Sequence, residues 1–447
     1  MSSWEPGVGF VELGVVVALI LVTFLFGMHV AAALGLLSLT LMLFFSDRPM
    51  WDLLGLIAWN TNTSFVLVAI PMFVLMGEIL LRSGISEQLY RSLSHWLSPL
   101  PGGLMHSNIA ACAIFAAVSG SSVATAATIG SVALPEFRAR GYREQLVLGS
   151  LAAGGTLGIL IPPSITFIVY GVLMEESIGR LYIAGIVPGV TLALLFMATI
   201  FVPSVIWPSL APRERGAPWR VKVTALVGLI PTGALIFLVL GTIYLGVATP
   251  TEAAAFGVTG SLALAALGRS LTPRMLREAG LACARTTAMI MLILTSAFVL
   301  QAVLALLGTP YAISRAVTSW GLTATAFLVV VILFYLVLGM FMDSFSIMVT
   351  TIPIILPILK SLHIDLVWFG VLAVILTEAG LITPPFGLNL FVIQGLRQRT
   401  AGASAAGTIR DVYVGVLPFF AMMLVLIVLL MNFPQIALWL PTTMMGH

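Results

Sequence analysis

Two acids, Asp343 and Glu378, stand inside apolar stretches of this 447-residue chain, and each is flanked by residues that could hold an ion. A carboxylate at the centre of a bilayer costs roughly 2.5 kcal/mol or more, so acids in such places are kept for a use. Around Asp343 the chain offers Ser344 and Ser346; around Glu378 it offers Thr377, Gly380, Thr383 and Asn389. Two clusters of similar make-up come earlier, Ser121, Ser122 and Thr125, and then Gly155, Thr156 and Gly158. Hydroxyls and unwound backbone carbonyls are hard oxygen ligands for a cation, while helix N-termini present positive dipole ends to a carboxylate. Together the clusters suit an anion travelling with Na⁺, and the ion is expected at Ser122, Gly158, Ser344 and Gly380. For any one residue the plainer reading is packing, because small residues let helices approach and Ser or Thr bonds back to its own helix. Asp343 stays open between cation ligand and N-cap of the helix that follows it.

Clusters of this kind need helices that break inside a membrane. With 60% hydrophobic and 8% charged residues, the chain lies outside the composition of soluble domains. A span takes roughly 20 apolar residues, and runs of that kind recur throughout, which predicts on the order of ten to twelve crossings. The run at 10–27 follows Glu5 and no Lys or Arg, so it is expected to be a retained helix rather than a leader. A net charge of +3 drawn from Arg-rich loops excludes a nucleic-acid partner. Cys112 and Cys283 have no CxxC spacing, and His29, His95, His106 and His363 have no metal-ligand spacing, so no cofactor is expected besides Na⁺. There is no P-loop and no Ser-His or paired-Asp constellation at depth, which argues against a pump or an enzyme.

A shift of 222 residues places Ser122 on Ser344, Thr128 on Thr350, Pro135 on Pro357, Gly158 on Gly380 and Pro162-Pro163 on Pro384-Pro385. A proline pair held in register is not a cheap match, so two homologous halves are expected, 1–222 and 223–447. The positive-inside rule assigns the loops with Arg138, Arg140 and Arg143, with Arg213, Arg215, Arg220 and Lys222, with Arg269, Arg274, Arg277 and Arg285, and with Arg397, Arg399 and Arg410 to the cytoplasm. Residues 175–180 and 311–320 then fall outside, and the second half runs inverted to the first. The fold class is thus an all-α polytopic membrane protein made of two inverted repeats.

Within the first repeat, 108–119 and 122–137 predict a re-entrant hairpin over 108–137, followed by a broken helix over 145–177 and a basic linker at 207–222. Within the second, 324–342 and 344–359 predict a hairpin over 324–359, followed by a broken helix over 367–396. Proline removes a backbone donor and clashes with the preceding turn, so the breaks are expected at 155–163 and 377–385. The amphipathic stretches 83–107 and 271–286 read as surface helices in equivalent places of the two halves. Glu252, in Thr249-Pro-Thr-Glu252, reads as a helix start.

The runs GSSVATAATIG at 120–130, GTLGILIPPS at 155–164, TPTEAAA at 249–255 and TEAGLITPPFGLN at 377–389 resemble the DctM-like large membrane subunit of TRAP transporters, the tripartite ATP-independent periplasmic family. The resemblance covers essentially the whole chain. It implies an elevator-type carrier of the cell inner membrane, multi-pass and lipid-embedded, in which a sodium gradient drives symport of an organic acid. It also implies a small four-helix membrane subunit, DctQ-like, and a periplasmic substrate-binding protein, DctP-like. Carried over onto this sequence, it supports the hairpin tips and helix breaks as ion and substrate sites. The alternatives are a stand-alone sodium/dicarboxylate symporter of related two-hairpin architecture and, less readily, an ion channel with re-entrant filter loops.

Overall fold

The computed structural model describes residues 28–45, 51–212, 216–310, 312, 315, 319, 321, 323–401 and 407–445. The expected helix at 10–27, Arg213, Arg215 and most of 311–320 lie outside these residues. The described residues form helices and no strands. In chain order they are α1 (Val30–Phe45), α2 (Trp51–Thr63), α3 (Ala69–Arg82), α4 (Ile85–Leu97), α5 (Leu104–Ser119), α6 (Ser122–Ala139), α7 (Glu144–Leu160), α8 (Ile165–Met174) and α9 (Ile178–Ile206). The chain continues through α10 (Trp219–Val227), α11 (Ile230–Tyr244), α12 (Pro250–Leu267), α13 (Pro273–Leu306), α14 (Ala324–Gly339) and α15 (Ser344–Ser361). It ends with α16 (Leu366–Leu381), α17 (Leu388–Ala401), α18 (Ile409–Asn432) and α19 (Gln435–Met445).

Four of these helices, α9, α13, α15 and α18, are long and apolar enough to cross a membrane, and three bent pairs raise the number to at most 7. The bends are 57° at α2/α3, 43° at α7/α8 and 42° at α10/α11. Much of the apolar sequence that suggested further crossings lies in shorter helices, α1, α5, α14 and α16. Each is 16 residues long, a few short of the roughly 20 that a full span takes.

Local chemistry explains the boundaries. Thr249 and Glu252 form a capping box at the start of α12 with Pro250 in its first turn, as expected of Glu252. The amphipathic α4 is a separate element because Gly84 (φ +80°) precedes it and a Pro-Leu-Pro-Gly-Gly run from Pro99 to Gly103 follows it. The second expected surface helix, 271–286, does not exist as such. It is the beginning of the 34-residue α13, which has no proline after Pro273 to break it. Shifted back by 222, α13 falls on 51–84, over the bent pair α2/α3 rather than over α4.

The helices pack as two groups. The first contains α1, α2, α3, α12 and α13; the second contains the hairpins α5/α6 and α14/α15, the helices α7, α8, α16 and α17, and the long α9 and α18. The groups meet where α3 lies against α5 and α8 and where α13 lies against α15, and one apolar core runs through both. Large apolar side chains such as Phe44, Leu194, Phe237, Leu333 and Val428 are exposed on the outer faces, as lipid-facing surface requires.

Candidate functional site

Both hairpins turn at tips whose sequence dictates the turn. The first helix of the first hairpin, α5, ends at Gly120 in the left-handed conformation (φ +61°), which glycine adopts without a Cβ penalty. Ser121 then caps α6 by accepting from the Ala124 amide, and Thr125 and Ser119 share a 2.6 Å hydroxyl contact that ties the two arms together. At the second tip Asp343 caps α15, accepting from the Ser346 amide at 3.0 Å and from the Ser346 hydroxyl at 2.5 Å. Both Asp343 oxygens are thereby used in capping. Ser122 and Ser344 occupy the first position of α6 and α15, and both are buried.

The broken helices pass directly behind these tips. A Cβ on Gly158 would lie 2.6 Å from the Ser121 carbonyl oxygen and 2.7 Å from the Thr125 hydroxyl, and one on Gly155 would lie 2.6 Å from Ala126 Cβ. In the second half a Cβ on Gly380 would lie 2.4 Å from Gly339 Cα, at the end of α14. The expected breaks shift by a few residues: Gly155 to Gly158 and Thr377 to Gly380 are still helical, and the chain leaves the helix only at 161–164 and 382–387. Close packing of glycine against the tips keeps these turns helical, and the prolines end them. Because residue 162 is proline, the Gly158 carbonyl has no amide four residues on to accept from. Both proline pairs, Pro162-Pro163 and Pro384-Pro385, are cis.

Between the tips stands Glu378. The Ser122 hydroxyl donates to its Oε2 at 2.5 Å and the Ser344 hydroxyl donates to its Oε1 at 3.0 Å, while the side chain is fully buried. Residues 256 and 34 positions away in the chain therefore converge on one carboxylate. The Glu378 side chain thus meets the first residue of two helices. Among the described residues no cationic side chain pairs with it.

The remaining candidates divide. Thr156, Thr377 and Thr383 donate their hydroxyls to carbonyls of their own helices, at Ala153, Val374 and Ala379. Ser346 is engaged by the Asp343 cap. Asn389, in the first turn of α17, is fully buried, and neither its amide nitrogen nor its oxygen has a partner. Among the described residues no group of three or more His, Cys, Asp or Glu could hold a metal.

Sequence reasoning grouped Ser122, Ser344 and Glu378 without pairing them, and it missed Gly339 altogether. A signal for Gly339 existed: the repeat register sets it on Ala117, another small residue at a hairpin arm. Arg397 was also misjudged. Read as a loop charge, it is 3% exposed and donates to Glu144 at 2.6 Å, to Asp411 at 3.0 Å and to the Thr408 carbonyl at 3.0 Å. It thereby ties α7, α17 and α18 together at one end of the second group.

Comparison with known proteins places the chain in a family. Residues 17–436 match the family model described as the tripartite ATP-independent periplasmic transporter, DctM component. The chain is 36% identical over 412 residues to the C4-dicarboxylate TRAP transporter large permease protein DctM of Pseudomonas aeruginosa, covering 90% of this chain and 92% of that one. It is 31% identical to the 2,3-diketo-L-gulonate TRAP transporter large permease protein YiaN of Escherichia coli, covering 90% and 93%. It is 32% identical to the isethionate TRAP transporter permease protein DctMQ of Oleidesulfovibrio alaskensis, covering 92% of this chain and 64% of that longer one. In fold it is similar to the YdaH transporter of Alcanivorax borkumensis, with a TM-score of 0.62 at 15% identity and 98% of both chains covered. The chain belongs to the DctM family, the large permease component of the tripartite ATP-independent periplasmic transporters.

Proposed function

We propose that this permease takes up an organic acid, of the C4-dicarboxylate class or close to it, by symport with Na⁺ across the inner membrane. The observation that carries the reading is the convergence of two hairpin tips on Glu378, backed by the glycines of two broken helices. Helix breaks at membrane depth persist only where they line a cavity, since unpaired backbone groups in lipid cost several kcal/mol each. The tip hydroxyls and the Gly158 carbonyl supply hard oxygen ligands, and Asn389 supplies an unpartnered amide able to meet a carboxylate. Sodium ions then provide the positive charge that lets an anion enter beside Glu378. The division of the helices into two groups that meet along α3 and α13 supports an elevator movement in which the hairpin group slides against α1–α3, α12 and α13. The two halves are taken as inverted repeats.

The family reading also brings two partners, a small membrane subunit and a periplasmic binding protein that delivers the acid. The relative named DctMQ, which is longer than this chain, supports the first. Reconstitution into proteoliposomes tests the whole reading. Uptake of a C4-dicarboxylate is expected with an inward sodium gradient and all three components, and is expected to vanish when either partner is left out. Robust uptake by this chain alone would instead identify a stand-alone symporter.

A further inference from the structure

A serine hydroxyl has one proton to donate and two lone pairs to offer. A free tip hydroxyl would swing its proton towards the ion as readily as away from it, and only the second orientation helps a cation. In this structure both tip hydroxyls spend their protons on the same side chain, Ser122 on Oε2 and Ser344 on Oε1 of Glu378. The first half has no equivalent acid, because the repeat register sets Thr156 opposite Glu378, and its hydroxyl is turned to the Ala153 carbonyl of its own helix. One carboxylate therefore serves two tips. Two residues further along α16, Gly380 lies against Gly339 at the end of the arm leading to the second tip.

We propose that Glu378 is a positioning residue that makes the two tip sites act as one. Its two oxygens fix both serine hydroxyls with their lone pairs facing the cations, so that ordering one tip by Na⁺ orders the other. The inference rests on the sodium reading above and adds to it a coupling between sites. Glu378 itself need not touch an ion in this role, since its two oxygens are engaged by the serine hydroxyls.

The test is sodium-dependent thermal stabilisation of the purified full-length chain, with potassium as the control ion. Wild type is expected to give a sigmoid sodium curve with a Hill coefficient above one. In Glu378→Gln the side-chain carbonyl accepts from one serine, but the amide NH₂ can only donate, so the other hydroxyl is turned the wrong way. Loss of one oriented ligand is expected to raise the half-stabilising sodium concentration about tenfold and to bring the Hill coefficient down to about one. Glu378→Asp keeps two acceptor oxygens and is expected to restore cooperativity. A Glu378→Gln protein that melts earlier without sodium, yet has the wild-type midpoint and Hill coefficient, overturns the proposal and leaves the residue a structural one. A wild-type curve without any sodium response overturns the sodium reading and this inference with it, whereas a response indifferent to Glu378→Gln overturns only the coupling. Should Glu378→Gln not fold, Ser122→Ala, Ser344→Ala and the double variant carry the test. Coupled tips give a double-variant shift smaller than the product of the single shifts, and a shift equal to that product contradicts the coupling.

Discussion

Replacing Gly380 with alanine probes the packing that holds the second tip in place. The added Cβ would sit 2.4 Å from Gly339 Cα and 2.9 Å from its carbonyl carbon, both backbone atoms that cannot rotate away. Ordinary contact begins near 3.4 Å, so α14 and α16 must separate by roughly 1 Å. Overpacking of this kind costs about 1–3 kcal/mol, and a backbone-to-backbone clash belongs at the upper end. Gly395, inside α17, is an internal control, because a Cβ there meets nothing within 4 Å. Alanine at that position is expected to be neutral or to stabilise by about 0.5–1 kcal/mol, the ordinary gain for glycine in a helix interior. The assay is apparent melting temperature in detergent, followed by sodium-driven uptake at matched membrane levels. Gly380→Ala is expected to melt several degrees earlier and to lose most uptake, since Glu378 is two residues away and moves with the helix. If Gly380→Ala and Gly395→Ala were indistinguishable from wild type in both measurements, the close approach of α14 to α16 would not be what positions the tip.

Three other outcomes follow from named contacts. Arg397→Ala removes a shared partner from Glu144 and Asp411, but Glu144 keeps Arg138 and Asp411 keeps Gln145, and the two side chains are 35% and 28% exposed, so the expected loss is about 1–2 kcal/mol rather than the roughly 3–5 kcal/mol of breaking a fully buried pair; chemical denaturation of wild type, Arg397→Ala and Asp411→Asn measures it. Asp343→Ala removes the α15 cap and is expected to cost about 1 kcal/mol while leaving the sodium dependence of uptake unchanged, and a shift in that dependence would restore Asp343 as an ion ligand. Cysteine placed at Arg140 or Arg399 is expected to react with impermeant reagents from the cytoplasmic side and at Glu176 from the periplasmic side; opposite reactivity of the first two would contradict the inverted arrangement.

The hairpins were readable because their signals are local. A glycine-serine turn between two short apolar helices fixes the first tip, and Asp343 followed by Ser344 marks the second, so the helix limits at 119, 122 and 344 match the expectation, while the first arm starts at 104 rather than 108 and the arm expected to reach 342 ends at 339. The breaks were read a few residues early, because Gly155, Gly158 and Gly380 carry the composition of unwound backbone yet pack as helix against the tips. Whether a glycine unwinds or packs depends on a neighbour distant in sequence; the repeat register marks Gly339 as a small residue on a hairpin arm, but only the fold shows that it packs on Gly380. The fate of 271–286 turned on a similar point: its charges suggested a surface helix, but with no proline to stop it the helix continues to Leu306. Arg397 illustrates the limit for charges, since an arginine at a helix end is read as solvated until Glu144, 253 residues away, is found against it.

The central claim is that the tip hydroxyls meeting at Glu378 serve Na⁺, and the most direct measurement is uptake by the complete complex against sodium concentration for Ser122→Ala and Ser344→Ala. Each change deletes one hard oxygen while barely altering helix volume, so folding is expected to survive. A lost ligand worth about 1.4 kcal/mol is expected to raise the half-saturating sodium concentration about tenfold in each variant. Curves that superimpose on wild type in both variants, at matched protein levels, would remove the serines from the ion site and leave the hairpin tips as packing elements.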